Sequence, residues 1–283
     1  MLASTPPRAS RPAPELLPGA FPIAKADLIE GMAKGMAVLE AFDTQRQRLN
    51  ATLAAERAGI TRAAARRHLL TLTHLGYLET DGRYFWLAAK VLRFSGSYLA
   101  SARLPRAVQP SLNRLAAQAQ AAFSVAVLDG DEVVIIGRSG LEWKSPESQA
   151  VPVRVLAYGL HLGARLPAHA TSTGRVLLAA KAKGEFNSWL KIKAASGLAR
   201  LTLHTTTDVP RFKALIEKVR TDDYCLASQE HEIGVHALAV PLRDMQGQTV
   251  AALNVVSSFQ AGSKPLALLP LLLDAARELR PLL

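Results

Sequence analysis

The chain has 283 residues, which is enough for two domains with separate hydrophobic cores. Its formal net charge of +11 suits a polyanionic partner, although net charge by itself specifies no fold. The single cysteine, Cys225, excludes an intrachain disulfide and a multi-cysteine zinc site, and its apolar neighbours favour a packed thiol over a nucleophile. No apolar stretch is long enough to span a bilayer, so we expect a cytoplasmic protein without a membrane partner.

The N-terminal part combines a polar leader with an amphipathic helix. Residues 1–24 are rich in proline, alanine and arginine without helical periodicity, and we predict a disordered leader there. A helix is predicted over Asp27–Phe42, with Met32, Met36 and Leu39 spaced to share one buried face.

Residues 51–87 then have the pattern of a winged helix-turn-helix. A short helix over 51–58 ends at Gly59, because a helix C-terminus favours a residue that is free to adopt a positive φ. Thr61 is placed to cap a second helix, since its hydroxyl accepts from one of the first backbone N–H groups. The inward stripe of this second helix is predicted to be Ala65, Leu69, Leu72 and Leu75.

A hairpin completes this module. Two short strands, Tyr77–Thr80 and Tyr84–Leu87, flank Asp81-Gly82-Arg83, and Asp-Gly is a strong signal for a hairpin turn. We predict that this hairpin is the wing and that the whole module covers residues 25–88.

The front half of the second helix is basic, and six arginines face one acid between residues 44 and 75. In a helix-turn-helix these positions contact base edges in the major groove, where arginine pairs with guanine or binds phosphate. A structural module with solvated arginines is the plainer alternative. We predict contacts to double-stranded operator DNA from Thr61, Arg62, Ala63, Arg66 and Arg67, and from Arg83 in the wing.

The remaining chain has a different pattern. A linker helix is predicted over 89–104, and residues 105–283 are predicted to form an α+β domain in which helices gather against an antiparallel sheet. Residues 143–149 are expected to be an insertion between strands. The predicted strands are 123–128, 133–136, 151–156, 224–227, 238–242 and 249–256, and the predicted helices are 105–120, 171–181, 209–220 and 265–283.

Separated motifs in both halves resemble the IclR family of bacterial transcriptional regulators. The motifs are Gly31-Met-Ala-Lys-Gly-Met-Ala-Val-Leu-Glu-Ala-Phe42, Thr61-Arg-Ala-Ala-Ala-Arg-Arg67, Leu75-Gly-Tyr77, Gly163-Ala-Arg-Leu-Pro-Ala-His-Ala-Thr-Ser-Thr-Gly-Arg175, Leu238-Ala-Val-Pro241 and Ala251-Ala-Leu-Asn254. The chain is most similar to the subgroup that controls catabolism of aromatic acids such as protocatechuate and 4-hydroxybenzoate. This resemblance implies a GAF-like effector-binding domain behind the winged helix, and homodimers or homotetramers on palindromic operators.

The resemblance also implies where a small-molecule effector binds. The pocket of the family lies between the sheet and a loop that corresponds to Thr171, Ser172 and Thr173 in this chain. This loop leads into a helix, and the backbone N–H groups at a helix N-terminus bind carboxylates well. Matching strand positions are Ala227, Ala237, Asn254 and Val256, which are less polar than in relatives that bind small keto acids and so favour an aromatic acid.

Three further residues have two interpretations each. Arg165 and His169 lie beside the pocket loop, where either one binds an anionic effector or has a structural role, and Arg138 either lines the pocket or is solvated.

The segment Glu230-His231-Glu232 invites a metal interpretation, but it lacks the one-turn histidine spacing of a helical site, and we expect a solvent-exposed loop there. We predict no metal and no cofactor. No nucleophile elbow or phosphate-binding glycine loop is present, which disfavours catalysis.

The sequence therefore predicts a DNA-binding transcriptional regulator controlled by a small organic acid, in which effector binding shifts the population of states with different operator affinity. One alternative is a small-molecule-processing enzyme with an appended helical module. A further alternative is a protein that binds DNA without sequence specificity.

Overall fold

The computed structural model describes residues 23–24, 26–43, 46–139, 161–258 and 265–283. It has two compact units, which divide between Ser97 and Tyr98. The leader (apart from residues 23 and 24), the predicted strand over 151–156 and the insertion over 143–149 lie outside the described residues. Within the described ranges, the chain has no helix with the length and apolar character to cross a membrane.

The described part of the first unit contains the helices and the hairpin that the pattern predicts. The helices are α1 (Glu30–Leu39), α2 (Ala51–Ala58) and α3 (Arg62–His74), and the hairpin strands are β1 (Leu78–Thr80) and β2 (Phe85–Leu87). Their shared core is made of the following side chains: Val38, Ala41, Phe42, Leu49, Ala54, Ala55, Ala58, Ala65, Leu69, Leu72, Leu78 and Phe85.

The ends of α2 and α3 are fixed by local capping. Asn50 caps α2 by accepting from two backbone N–H groups, and Gly59 ends that helix with a φ of +66°. Thr61 caps α3, where its hydroxyl accepts from the N–H of Ala64 at 3.2 Å. The turn between the two helices is therefore encoded by Gly59 and Thr61, which favour this geometry without help from the rest of the fold.

The wing is also defined by short-range contacts. The Asp81 carboxylate accepts from the backbone N–H groups of Arg83 and Tyr84 at 3.0 and 2.7 Å. Gly82 has a φ of +90°, which residues with a side chain rarely adopt. Leu49 bridges to Phe85 and joins the chain before α2 to the hairpin.

The predicted buried face of α1 is wrong in part. On α1, Met32 is 67% exposed and Met36 is 50% exposed. Leu75, at the end of α3, is 48% exposed. The fully buried residue of α1 is Val38. It lies two positions after Met36, about 200° around the helix, so packing Val38 inward turns the methionines outward. Leu75 is exposed because it is the C-terminal cap of α3, beyond the packed stripe.

The predicted linker is two successive helical segments. A 3₁₀ turn over Ala89–Val91 leads into α4 (Leu92–Ser101), and α5 (Arg103–Ala119) follows. Ala102 between the two α-helices is extended, with φ −66° and ψ 132°. Pro105 therefore lies in the first turn of α5, where a missing N–H costs no helical hydrogen bond, and the predicted boundary at residue 104 falls inside α5.

The second unit is built on one antiparallel sheet with helices on both faces. Its strand order is β5-β4-β3-β8-β7-β6. The strands are β3 (Ala122–Asp129), β4 (Glu132–Arg138), β5 (Arg165–Pro167), β6 (Cys225–Ser228), β7 (Val235–Arg243) and β8 (Thr249–Ser258), and the helices after α5 are α6 (Ser172–Ala180), α7 (Lys183–Ser196), α8 (Val209–Asp222) and α9 (Leu269–Leu279).

Alternating strand residues supply two separate cores. On one face Leu253 and Val255 of β8 pack with Leu112 of α5 and Leu272 of α9. On the other face Ala252 belongs to the core formed with α6, α7 and α8. This arrangement has the predicted α+β class and turns Asn254 toward the α6 face, because side chains alternate along a strand.

Candidate functional site

The exposed face of α3 carries cations that nothing else in the described structure neutralises. Arg62, Arg66 and Arg67 are exposed, and none of them forms an ion pair with another described residue. Thr61 and Ala63 are exposed beside them at the N-terminus of the helix. The predicted DNA contacts of α3 are thus free to meet an external anion.

Other arginines of the same unit are engaged internally. Arg57 pairs with Asp43, and Arg48 pairs with Asp81 while its guanidinium lies 4.4 Å from the centre of the Trp86 ring. Arg83 at the tip of the wing is exposed and packs over Tyr84, with 5.3 Å between the guanidinium carbon and the ring centre. The front of α3 and the tip of the wing therefore both carry cations that form no ion pair with a described residue.

The second unit contains a pocket between the sheet and the N-terminus of α6. Its space is about 620 Å³, including its open mouth. The walls are Ile135, Leu166, Ala170, Thr171, Ser172, Thr173, Ala227, Glu230, His231, Glu232, Val235, Ala237, Asn254 and Val256. Seven of the ten residues predicted to bind an effector meet here, namely Thr171, Ser172, Thr173, Ala227, Ala237, Asn254 and Val256.

The polar end of the pocket is the N-terminus of α6. Thr171 caps the helix by accepting from the N–H of Gly174 at 3.1 Å. The hydroxyl of Ser172 is completely buried and has no hydrogen-bond partner among the described residues. First-turn N–H groups and a buried hydroxyl together offer donors to an anion, and the helix dipole adds positive potential.

Gly174 allows this helix to begin where it does. A Cβ atom at this position would lie 2.2 Å from the carbonyl oxygen of Ala168, which belongs to the 3₁₀ turn Ala168–Ala170. The backbone of that turn therefore fits against α6 only because residue 174 has no side chain.

The floor of the pocket is a row of small side chains across three strands. Ala227 of β6 pairs with Ala237 of β7, which pairs with Val256 of β8. Beside the row, the amide oxygen of Asn254 accepts from the hydroxyl of Ser124 at 2.5 Å. The flat apolar floor and one oriented amide suit a planar ligand body.

A buried ion pair borders the pocket, and the sequence interpretation missed it. Arg175 of α6 is 2% exposed and forms two hydrogen bonds with the carboxylate of Glu230, one of them 2.6 Å long. Burial acts to raise the pKa of Glu230, but the hydrogen bonds and charge of Arg175, with contacts from Thr206, hold it below its ordinary value. The expected solvent-exposed loop is therefore wrong at Glu230, because its charge is needed to neutralise Arg175.

Three predicted pocket residues lie elsewhere. Arg165 on β5 pairs with Asp129 and Glu132. His169 is buried with its Nε2 2.9 Å from the carbonyl oxygen of Ala199, and burial lowers its pKa. Arg138 is not among the lining residues, and its Nε is buried without a partner within the described ranges. Geometry thus favours the structural interpretations of Arg165 and His169, and gives Arg138 no place in the pocket.

His231 and Glu232 line the pocket beside Glu230. Burial lowers the pKa of His231, with a contribution from His169, and burial raises the pKa of Glu232. Among the described residues, no group of three or more histidine, cysteine, aspartate or glutamate side chains is arranged to hold a metal ion. Cys225 is buried, and burial raises the pKa of its thiol to about 11.

Two family models match the two halves of the chain. The IclR helix-turn-helix domain matches residues 31–82. The C-terminal domain of the bacterial transcriptional regulator IclR matches residues 96–280. Both models describe domains of transcriptional regulators, which disfavours the alternative of an enzyme with an appended helical module.

Two relatives match this chain over most of its length and most of their own. The Pca operon regulatory protein of Acinetobacter baylyi is 50% identical over 260 residues, which cover 91% of this chain and 90% of the relative. The p-hydroxybenzoate hydroxylase transcriptional activator of the same organism is 51% identical over 259 residues, covering 90% and 92%.

A solved structure is similar to the second unit. The inducer-binding domain of the transcription factor PobR from Acinetobacter, crystallised as a double mutant with 3-hydroxybenzoic acid, is 44% identical to this chain with a TM-score of 0.54. The match covers 63% of this chain and 98% of the solved domain. The matched models, the full-length relatives and the shared fold establish that the chain belongs to the IclR family of bacterial transcriptional regulators.

Proposed function

We propose that this regulator binds operator DNA through α3 and the wing, and that a hydroxybenzoate-class aromatic acid in the second unit controls that binding. The proposed DNA contacts are Thr61, Arg62, Ala63, Arg66, Arg67 and Arg83. The observation that carries the effector proposal is the buried hydroxyl of Ser172 at the N-terminus of α6, which lines the pocket and has no hydrogen-bond partner among the described residues.

An aromatic acid matches this pocket at both ends. Its carboxylate takes hydrogen bonds from the first turn of α6 and from the Ser172 hydroxyl. Its ring packs over the floor of Ala227, Ala237 and Val256, with Asn254 at one edge. The relatives support this class of ligand: one is a transcriptional activator for p-hydroxybenzoate hydroxylase, and one inducer-binding domain was crystallised with 3-hydroxybenzoic acid.

The proposal includes a homodimer or homotetramer that acts in the cytoplasm. Two recognition helices related by a two-fold axis would read two half-sites of a palindromic operator. The net charge of +11 and the free arginines of α3 support a DNA partner.

The test is calorimetric titration of the full chain with 3-hydroxybenzoate, 4-hydroxybenzoate and benzoate. The wild-type protein is expected to bind at least one of these acids, and Ser172→Ala is expected to weaken binding about tenfold because a carboxylate loses a donor in a buried site. Ser188→Ala is the matched control, since Ser188 is exposed on α7 outside the pocket. Absence of binding to the folded wild-type protein would overturn the effector proposal.

A further inference from the structure

Two titratable side chains in the pocket have no side-chain partner among the described residues. His231 and Glu232 both line the pocket and are partly buried. Neither side chain forms a hydrogen bond or ion pair with any described residue. Polar side chains that line a pocket and are not engaged elsewhere in the described structure are available to orient a ligand.

The segment that carries them is fixed at both ends. The carboxylate of Glu230 binds Arg175 and accepts from the backbone N–H of Thr206 at 3.0 Å. The backbone carbonyl oxygen of Glu230 accepts from the hydroxyl of Thr205 at 2.6 Å. At the other end, the side chain of Gln229 accepts from the N–H of Gly234 at 3.1 Å. His231 and Glu232 therefore lie in a segment that hydrogen bonds hold at both ends, which favours a defined position for groups that recognise a ligand.

Their chemistry differs from that of the α6 N-terminus. The carboxylate end of the pocket offers N–H and O–H donors, which suit a full negative charge. Because burial lowers the pKa of His231, its imidazole is neutral near pH 7 and has one donor and one acceptor nitrogen. A neutral imidazole beside a carboxyl group matches a hydroxyl, which both donates and accepts.

We propose that His231 and Glu232 form a second polar subsite of the pocket, which binds a phenolic hydroxyl on the ring of the effector. This inference rests on the proposed function, since it presumes that the acid lies with its carboxylate at α6. His231 and Glu232 then select hydroxylated aromatic acids over acids of the same shape that carry a methyl group or hydrogen at that position.

The experiment compares two ligands of equal shape on the full chain. Calorimetry with 4-hydroxybenzoate and with 4-methylbenzoate is repeated for wild type, His231→Ala and Glu232→Gln, and 3-hydroxybenzoate is compared with 3-methylbenzoate in the same way. His204→Ala and Glu185→Gln are the matched controls, because both residues are exposed outside the pocket. Melting temperatures establish that each variant is folded.

Wild type is expected to prefer a hydroxylated acid over its methyl counterpart by about tenfold or more. In His231→Ala the affinity for that hydroxylated acid falls by at least about tenfold, while the affinity for the methyl acid changes by less than about threefold. Glu232→Gln is expected to reduce the same preference, and the control variants keep it.

Equal loss of both ligands, or unchanged preference in both pocket variants, would overturn the subsite while leaving the effector proposal intact. If the folded wild-type protein binds neither kind of acid, the effector proposal and the subsite fail together.

Discussion

The two candidate sites of this protein treat their arginines in opposite ways. In the first unit Arg62, Arg66 and Arg67 remain exposed without carboxylate partners among the described residues. In the second unit Arg165 and Arg175 are paired with acids. The front of α3 thus keeps its charge for a polyanion, whereas Arg165 and Arg175 near the pocket are neutralised, and anion binding there is left to N–H groups and a hydroxyl.

This difference predicts contrasting responses to salt. If Arg62, Arg66, Arg67 and Arg83 each neutralise one phosphate, affinity for duplex DNA falls about a hundredfold between about 50 and 200 mM salt through counterion release. Affinity for a hydroxybenzoate is expected to change less than about threefold, because a buried carboxylate on backbone donors is weakly screened. Fluorescence anisotropy with a duplex selected from a random library, and calorimetry with the acid, measure the two slopes. Equal slopes would contradict the contrast.

Breaking the buried ion pair should destabilise the second unit strongly. Glu230→Gln leaves the Arg175 charge buried without its partner, which is expected to cost about 3–5 kcal/mol in the free energy of unfolding at pH 7. The matched control is Arg165→Gln, whose exposed pairs are worth about 0–1 kcal/mol. Urea unfolding of full-length variants measures both.

The same variant has a defined pH dependence. Because the pKa of Glu230 is held low in the folded protein, its stabilisation is present above the unfolded pKa and is lost as the pH falls through the folded value. The stability difference between wild type and Glu230→Gln should therefore shrink in acid. A difference that stays constant from pH 7 down to the acid limit of folding would contradict the role of the charge.

A side chain at the close contact between α6 and the 3₁₀ turn before it should destabilise the protein less than Glu230→Gln does. Gly174→Ala places a methyl group against the carbonyl oxygen of Ala168, and we expect a loss of about 1–3 kcal/mol with weaker binding of the aromatic acid. Gly184→Ala is the matched control, since its Cβ would meet nothing within 4 Å. Thermal unfolding and calorimetry report the two effects, and a Gly174→Ala variant as stable as Gly184→Ala would show that the contact is unimportant.

Local chemistry made the first unit predictable from the sequence. Gly59, Thr61 and the Asp81-Gly82 turn each fix a boundary through contacts within a few residues, so α2, α3 and the wing follow from short segments. The outward direction of Met32 and Met36 did not follow, because the packing of Val38 against the other helices sets it.

The second unit depends more on contacts between distant segments. The pocket positions Ala227, Ala237, Asn254 and Val256 came from the resemblance, and their meeting requires the strand order of the sheet. Arg175 and Glu230 are 55 positions apart, so no local pattern indicates their pairing. Helix α7 was missed because it buries only Phe186, Trp189 and Leu190 on an otherwise polar segment.

The central claim is that the free arginines of α3 read DNA, and a single substitution tests it most directly. Affinity for a duplex selected from a random library is measured for wild type, Arg66→Ala and Arg211→Ala, which removes the same charge from the exposed surface of α8. We expect Arg66→Ala to weaken binding by about 1–3 kcal/mol and Arg211→Ala to leave it unchanged. Wild-type affinity in Arg66→Ala, or an equal loss in both variants, would contradict the assignment of α3 as the recognition helix.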